Sequence, residues 1–293
     1  MKGTLPIMAV QAAPVDWEVP ATYAKFERQL ILLKASFPQT KLFVWPELYL
    51  SALGPFGSSA QRGYSVEKIA ETIPGPLTDR LCKLAARLKV WLIPGSFYEH
   101  GDDERVYNTA IAISPAGAIV ARYRKCFPWR PWEKTAAGNE FVVFDIDGVG
   151  RAGLMICYDG WFPEVARHLA WMGAEVILQP TATSTSDRAQ ELVLARANAI
   201  VNQVYIVNPN MGGRPGPGRS IIVDPEGHPL QIAGDGEEYQ TEVLDLNAVR
   251  RLRKFGSVGL NRMWSQLEEE GAELKLPMYG GSFASSPEVA ARS

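Results

Sequence analysis

Short, nearly continuous apolar runs alternate in this chain with longer segments of helical spacing. Leu42-Phe-Val-Trp45, Val90-Trp-Leu-Ile93, Ala110-Ile-Ala-Ile113, Ala118-Ile-Val-Ala121, Val176-Ile-Leu178, Val204-Tyr-Ile-Val207 and Ser220-Ile-Ile-Val223 are of strand length. Strands that are apolar at nearly every position lie in sheets covered on both faces. Segments 21–36, 76–88, 163–173 and 187–203 carry helical spacing, as with Leu192, Ala195 and Ala199. Together the two patterns predict an α/β fold with helices outside its sheets.

An internal echo refines this. Ala110-Ile-Ala-Ile-Ser-Pro-Ala-Gly117-Ala-Ile-Val is similar to Ser220-Ile-Ile-Val-Asp-Pro-Glu-Gly227-His-Pro-Leu. The Ser/Asp-Pro-x-Gly tetrad suits a type I turn, because proline presets φ at the second position and glycine fits the last. One β-hairpin per half of the molecule is therefore expected, and with it two sheets packed face to face with helices outside. No Pro/Gly/Ser-rich linker divides the chain, which predicts a single domain over 1–265. The tail, 266–293, is less periodic and is expected to form an interface or to be partly disordered. Met211-Gly-Gly-Arg-Pro-Gly-Pro-Gly218 reads as a loop on the rim of a pocket.

Composition removes several function classes. A net charge of −2 argues against nucleic acid as the main partner. Three cysteines, an odd number in 293 residues, argue against a disulfide framework and for a reducing compartment. The start, Met1-Lys-Gly-Thr-Leu-Pro-Ile-Met-Ala-Val-Gln-Ala12, reads as a first strand and not as a signal peptide. No apolar run approaches the ~20 residues of a membrane span. A soluble cytoplasmic protein without membrane partners is expected.

Chemistry concentrates around Cys157. Leu154, Met155 and Ile156 read as the end of a buried strand, and Pro163-Glu164 as the first turn of a helix. A thiol at that junction lies beside backbone N–H groups without helical partners, donors that stabilise a thiolate or an oxyanion. A buried, inert cysteine is the alternative. The histidines do not supply a papain-like base. His100 and His228 belong to polar loops, and His168 lies in the helix that follows. Carboxylates serve better. Glu47 closes Phe43-Val-Trp-Pro46, and Lys125 closes Ile119-Val-Ala-Arg-Tyr-Arg124. Glu133 lies in Phe127-Pro-Trp-Arg-Pro-Trp-Glu133, a loop stiffened by two prolines and walled by two tryptophans. An acid/base and a cation beside apolar strand ends are what a cysteine nucleophile needs for proton transfer and charge stabilisation.

Trp45-Pro-Glu47, Tyr123-Arg-Lys125 and Cys157-Tyr-Asp-Gly-Trp-Phe-Pro-Glu164, in that order, resemble the three blocks of the nitrilase superfamily of carbon–nitrogen hydrolases. The resemblance runs from the first strand to about residue 250 and implies a four-layer α-β-β-α sandwich, paired into a homodimer or higher homo-oligomer. It implies a catalytic triad of Glu47, Lys125 and Cys157, with Glu133 as the family's second glutamate. Glu133 stands eight residues after Lys125 and twenty-four before Cys157, offsets similar to those of aliphatic amidases, as is the pair Pro128-Trp129.

The implied reaction is cysteine-dependent hydrolysis of a small amide through a thioester, releasing ammonia. Lys125 and the Tyr158 N–H would hold the oxyanion, and the Lys125 ammonium is expected to lower the thiol pKa. Tyr158-Asp159 after the cysteine points to amides or N-carbamoyl amines, as in ureidopropionase or carbamoylputrescine amidase, ahead of nitriles. The shorter termini relative to aliphatic amidases put a preference for very small amides in question. Tyr49, Trp129, Trp132 and Trp161 are candidate pocket walls, and Arg214 or Arg219 a candidate grip for a substrate carboxylate. No phosphate loop, dinucleotide fingerprint or metal cluster occurs, so no cofactor and no metal are expected. Two other readings are a serine amidase built on Gly57-Ser58-Ser59 and a non-catalytic binding subunit.

Overall fold

Alternate residues of the first strand face opposite ways, and each set joins a different core. In the computed structural model, residues 3–54, 65–213, 216–271, 274–276 and 281–282 are described. Leu5, Ile7 and Ala9 of β1 (Thr4–Gln11) pack into one cluster, while Met8 and Val10 pack into another. That two-residue period defines both faces of the first sheet. This sheet contains β1, β2 (Leu42–Val44), β3 (Trp91–Ile93), β4 (Ser96–His100), β5 (Val106–Ile113) and β6 (Ile119–Arg124), closed at its far edge by β13 (Glu238–Asp245). β1, β2 and β3 run parallel, whereas β13 pairs antiparallel with β1.

The second sheet has the order β12-β11-β10-β9-β8-β7. These strands are β7 (Val142–Ile146), β8 (Gly150–Leu154), β9 (Val176–Leu178), β10 (Tyr205–Asn208), β11 (Ile221–Val223) and β12 (Pro229–Ile232). Its inward side chains, among them Phe144, Leu154, Val176, Leu178 and Val207, meet Leu5, Ile7, Leu42, Val44 and Ile93 in one apolar layer. On the outside of the first sheet, α1 (Val19–Ser36) and α3 (Pro76–Leu88) bury Phe26, Leu30, Leu81 and Leu84 against Phe43, Leu92 and Ile111. On the outside of the second, α4 (Pro163–Trp171) and α5 (Arg188–Asn202) bury Val165, Leu169, Ala195 and Ala199 against Ile177 and Ile206. Three apolar layers between four layers of structure make the α-β-β-α sandwich. A one-turn helix, α2 (Val66–Ile69), precedes α3.

Both expected hairpins form, one in each sheet. β5 pairs with β6 and β11 with β12, and each ladder shifts register at its turn-proximal end. The cause is shared: Gly117 donates to Ser114 O and Gly227 to Asp224 O, and both glycines adopt positive φ. A left-handed glycine after a type I turn inserts the extra residue of a bulge.

The four helices expected at 21–36, 76–88, 163–173 and 187–203 match α1, α3, α4 and α5 within a few residues. β13 is a correction to the strand set, as it carries polar residues on one face. So are α6 (Leu246–Phe255) and α7 (Met263–Glu270). The boundary at 265/266 falls inside α7. Trp264 of this helix is buried in the outer core of the second sheet and donates its ring N–H to Asn202 O at 3.0 Å. Short strands β14 (Lys275–Leu276) and β15 (Gly281–Ser282) pair beyond it.

Candidate active site

Three strand ends converge between the sheets, and each presents one reactive side chain. Glu47 follows β2, Lys125 follows β6 and Cys157 follows β8, so the site draws on both sheets. The chain leaves β2 at Trp45, whose N–H donates to Ile93 O. Gly95 lets it pass. Its φ is +84°, and a Cβ there would lie 1.8 Å from Pro46 O, so no other residue allows this approach to Glu47.

Cys157 opens a 3-10 turn, Cys157–Trp161, with φ +45°, a left-handed conformation that is costly for a residue with a side chain. Its surroundings hold it there. The Cys157 N–H donates to Pro180 O at 2.9 Å, and Gln179 Nε2 donates to Cys157 O at 2.9 Å. Gly160 makes room for that amide, since a Cβ would stand 2.3 Å from Gln179 Nε2. The same loop reaches the other sheet, where the Glu47 N–H donates to Thr181 O. Asp159 fixes the rest of the turn. It accepts from Ile156 N–H (2.9 Å), Phe127 N–H (2.9 Å) and Tyr123 OH (2.7 Å), tying β8 to the chain just after Lys125. Tyr158 lies in the first turn, where backbone donors have no acceptor within a helix.

The polar centre is a lysine between two acids. Lys125, 2 % exposed, donates to Glu47 Oε1 at 2.8 Å and to Glu133 Oε2 at 2.7 Å. Asn108, a residue the sequence reading missed, bridges the same acids, with Nδ2 2.8 Å from Glu47 Oε1 and 2.9 Å from Glu133 Oε1. Thr135 and the Trp129 N–H also donate to Glu133. Burial disfavours the Lys125 ammonium, but Glu47 and Glu133 outweigh it and hold its pKa well above the ordinary lysine value. Burial pushes Glu47 up; Lys125 pulls it partly back, while Glu133 adds to the rise. Burial pushes Glu133 up too, but Lys125 and the Trp129 N–H bring its carboxyl below the usual range.

The thiol departs from expectation. Its pKa lies well above the ordinary value: burial comes first, and the carboxylates of Glu47 and Glu191 add to it. Lys125 acts in the expected direction without prevailing. The shift favours the protonated thiol over the thiolate. The sulfur stands 3.7 Å from Thr183 Oγ1 and 3.8 Å from Glu191 Oε1. Glu191 was missed because the apolar residues of α5 carried the helical reading. The buried positions Arg188, Glu191, Asn198 and Asn202 recur at helical spacing and were the available signal.

Glu47, Lys125, Glu133, Cys157 and Tyr158 line one cavity of about 430 Å³ with Trp129 and Trp132 on its wall. Met211 and Gly216 of the glycine-rich loop also border it. Two wall candidates belong elsewhere. Tyr49 is fully buried in the outer core of the first sheet, 6.4 Å from the Phe26 ring, with its hydroxyl donating to Gln29. Leu48, at φ +51°, turns the chain between it and Glu47. Trp161 is outside the cavity lining, its ring 5.9 Å from that of Tyr158. The Arg219 side chain is exposed, while its carbonyl accepts from Arg188 at 2.7 Å. Arg214 and the segment 57–59 lie outside the described residues. No histidine lines the cavity among the described residues: His100 pairs with Glu67 O, His168 with Glu164 O and His228 with Asp224.

Residues 7–254 match the family described as carbon-nitrogen hydrolase. The chain belongs to this family. It is 32 % identical over 221 residues to a formamidase of Bacillus cereus (strain Q1), a match covering 72 % of this chain and 65 % of that protein. The fold is similar to that of Saccharomyces cerevisiae Nit3, a member of branch 10 of the nitrilase superfamily. There the TM-score is 0.77 and the identity 27 %, over 89 % of this chain and 97 % of that one. It is also similar in fold to an amidase from Nesterenkonia sp. AN1, with TM-score 0.70 and 24 % identity over 84 % and 92 % of the two chains. The chain thus has the sandwich of its superfamily.

Proposed function

We propose that this carbon-nitrogen hydrolase is a cysteine-dependent amidase that converts a small amide to its acid and ammonia. The observation that carries the reading is the Lys125 ammonium held between Glu47 and Glu133 in the cavity that contains Cys157. Glu47 takes the thiol proton as sulfur attacks the amide carbon. Lys125 and the Tyr158 N–H stabilise the oxyanion, and Glu47 returns the proton to the departing nitrogen. Water activated by Glu47 then hydrolyses the thioester. Glu133 and Asn108 position Lys125 and Glu47 through the bonds described above. A raised thiol pKa fits this sequence, because the proton leaves only when Glu47 can receive it.

An N-carbamoyl amine would present the same carbonyl and leaving nitrogen, and is the second reading. An ammonia-release screen with short aliphatic amides, ω-amides, N-carbamoyl amines and nitriles separates them. Release from amides is expected, with nitriles inert; no release from any class would refute catalysis and favour a binding subunit. We further propose a cytoplasmic homo-oligomer. Support comes from three unpaired cysteines and from Val193, Ile200 and Val201, exposed apolar residues of α5.

The pH profile follows from Glu47. The base must be ionised, and burial raises its pKa, so kcat/KM should fall on acidification through a pKa above the ordinary glutamate value. Lys125, held well above the usual lysine range, should produce no alkaline loss near neutrality. A profile flat down to the ordinary glutamate value would contradict Glu47 as the base.

A further inference from the structure

The reaction as proposed uses Glu47, Lys125 and Glu133 and leaves another carboxylate touching the nucleophile. Glu191 Oε1 stands 3.8 Å from the Cys157 sulfur, and the side chain is 5 % exposed. Its Oε2 is committed, accepting from Thr183 Oγ1 at 2.5 Å and from Arg188 at 3.1 Å. Arg188 is fixed in turn by Asn208 Oδ1 and Arg219 O, each at 2.7 Å. A buried ion pair with this many hydrogen bonds is not needed for packing, where an apolar side chain would serve as well. Among the described residues Oε1 meets the thiol alone, so it is the atom left to face a ligand.

The attacked carbon carries three substituents. Its oxygen belongs with Lys125 and the Tyr158 N–H, and its leaving nitrogen with Glu47. The third, the acyl substituent, is left the remaining border of the sulfur, formed by Thr183 and Glu191. We propose that Glu191 selects the acyl group, favouring substituents that donate a hydrogen bond or carry positive charge and turning away carboxylates. The inference rests on the amidase reading above and narrows its substrate class. It is an alternative to a carboxylate grip by Arg214 or Arg219. The charge of the wall agrees: among the described residues the cavity is lined by the carboxylates of Glu47, Glu133, Asp187 and Glu191 against the ammonium of Lys125. An anion brought beside Oε1 in this poorly solvated place meets repulsion that water would largely screen.

Alkylation of Cys157 tests this without turnover. Rates with iodoacetamide, iodoacetate and 2-bromoethylamine, located at Cys157 by mass spectrometry, are each divided by the rate with a simple thiol. The wild-type protein should disfavour iodoacetate relative to iodoacetamide by about tenfold or more, and favour the cationic reagent. Glu191→Gln should raise the iodoacetate-to-iodoacetamide ratio by about tenfold and lower the ratio for 2-bromoethylamine. A change in thiol pKa alone moves all three rates together and leaves the ratios fixed. If Glu191→Gln does not fold, Glu191→Gln/Arg188→Gln removes the anion nearer the thiol together with its partner cation and should shift both ratios in the same directions by a smaller factor. Unchanged ratios in the folded variant, or equal wild-type reactivity towards iodoacetate and iodoacetamide, would overturn the proposal. Charge-selective alkylation in a protein that releases no ammonia from any amide would instead sink the amidase reading and leave the subsite standing.

Discussion

Lys125→Ala is expected to lower kcat for amide hydrolysis by about 10²–10³, the usual effect of losing one oxyanion donor. The loss should fall on kcat more than on KM, because the ammonium acts on charge that develops only in the transition state. The substitution also leaves Glu47 and Glu133 facing each other without the cation that each now binds within 2.8 Å. Breaking a buried pair costs about 3–5 kcal/mol when a charge is stranded, and proton uptake by Glu47 relieves part of it. Stability of the variant should therefore recover on acidification, which distinguishes the electrostatic account from simple loss of packing. Steady-state kinetics with thermal unfolding at two pH values reads both effects. Wild-type kcat in a folded Lys125→Ala protein would exclude Lys125 as the oxyanion donor.

Asp159→Ala should be the most damaging change outside the reacting groups. This buried carboxyl, its pKa pushed up to about 6 by burial against the pull of Lys125 and its N–H donors, accepts from Ile156, Phe127 and Tyr123. Alanine would strand three buried donors, each costing about 1 kcal/mol or more. A loss of about 3 kcal/mol corresponds to a Tm lower by roughly 6–12 °C in a domain of this size. Activity should fall too, because the bonds span from the strand end before Cys157 to the loop after Lys125. An unchanged Tm would mean that Asp159 does not clamp those segments together.

The sequence made the reactive centre legible because its residues break local rules. Glu47 and Lys125 end apolar runs where a charge has no packing role, and Glu133 sits in a stiff aromatic loop. The two sheets were visible through paired Ser/Asp-Pro-x-Gly turns, whose backbone demands are local. What stayed hidden depends on distant partners. Asn108 lies beside Thr109 in a mostly apolar strand, and its role appears only when β5 brings it between Glu47 and Glu133. Glu191 and Arg188 look like the polar face of an amphipathic helix until α5 packs with that face inward. Tyr49 shows the converse error: two residues from Glu47 in sequence, it lies on the other face of the sheet. β13 escaped because an edge strand with polar side chains lacks the continuous apolar run that marked the others.

Hydroxylamine capture during turnover of a small amide reports on the thioester itself. A Cys157 thioester is predicted to partition between water and hydroxylamine, so the wild-type protein should form hydroxamate alongside ammonia. Cys157→Ala should form neither. Ammonia release by folded Cys157→Ala at the wild-type rate would contradict the account.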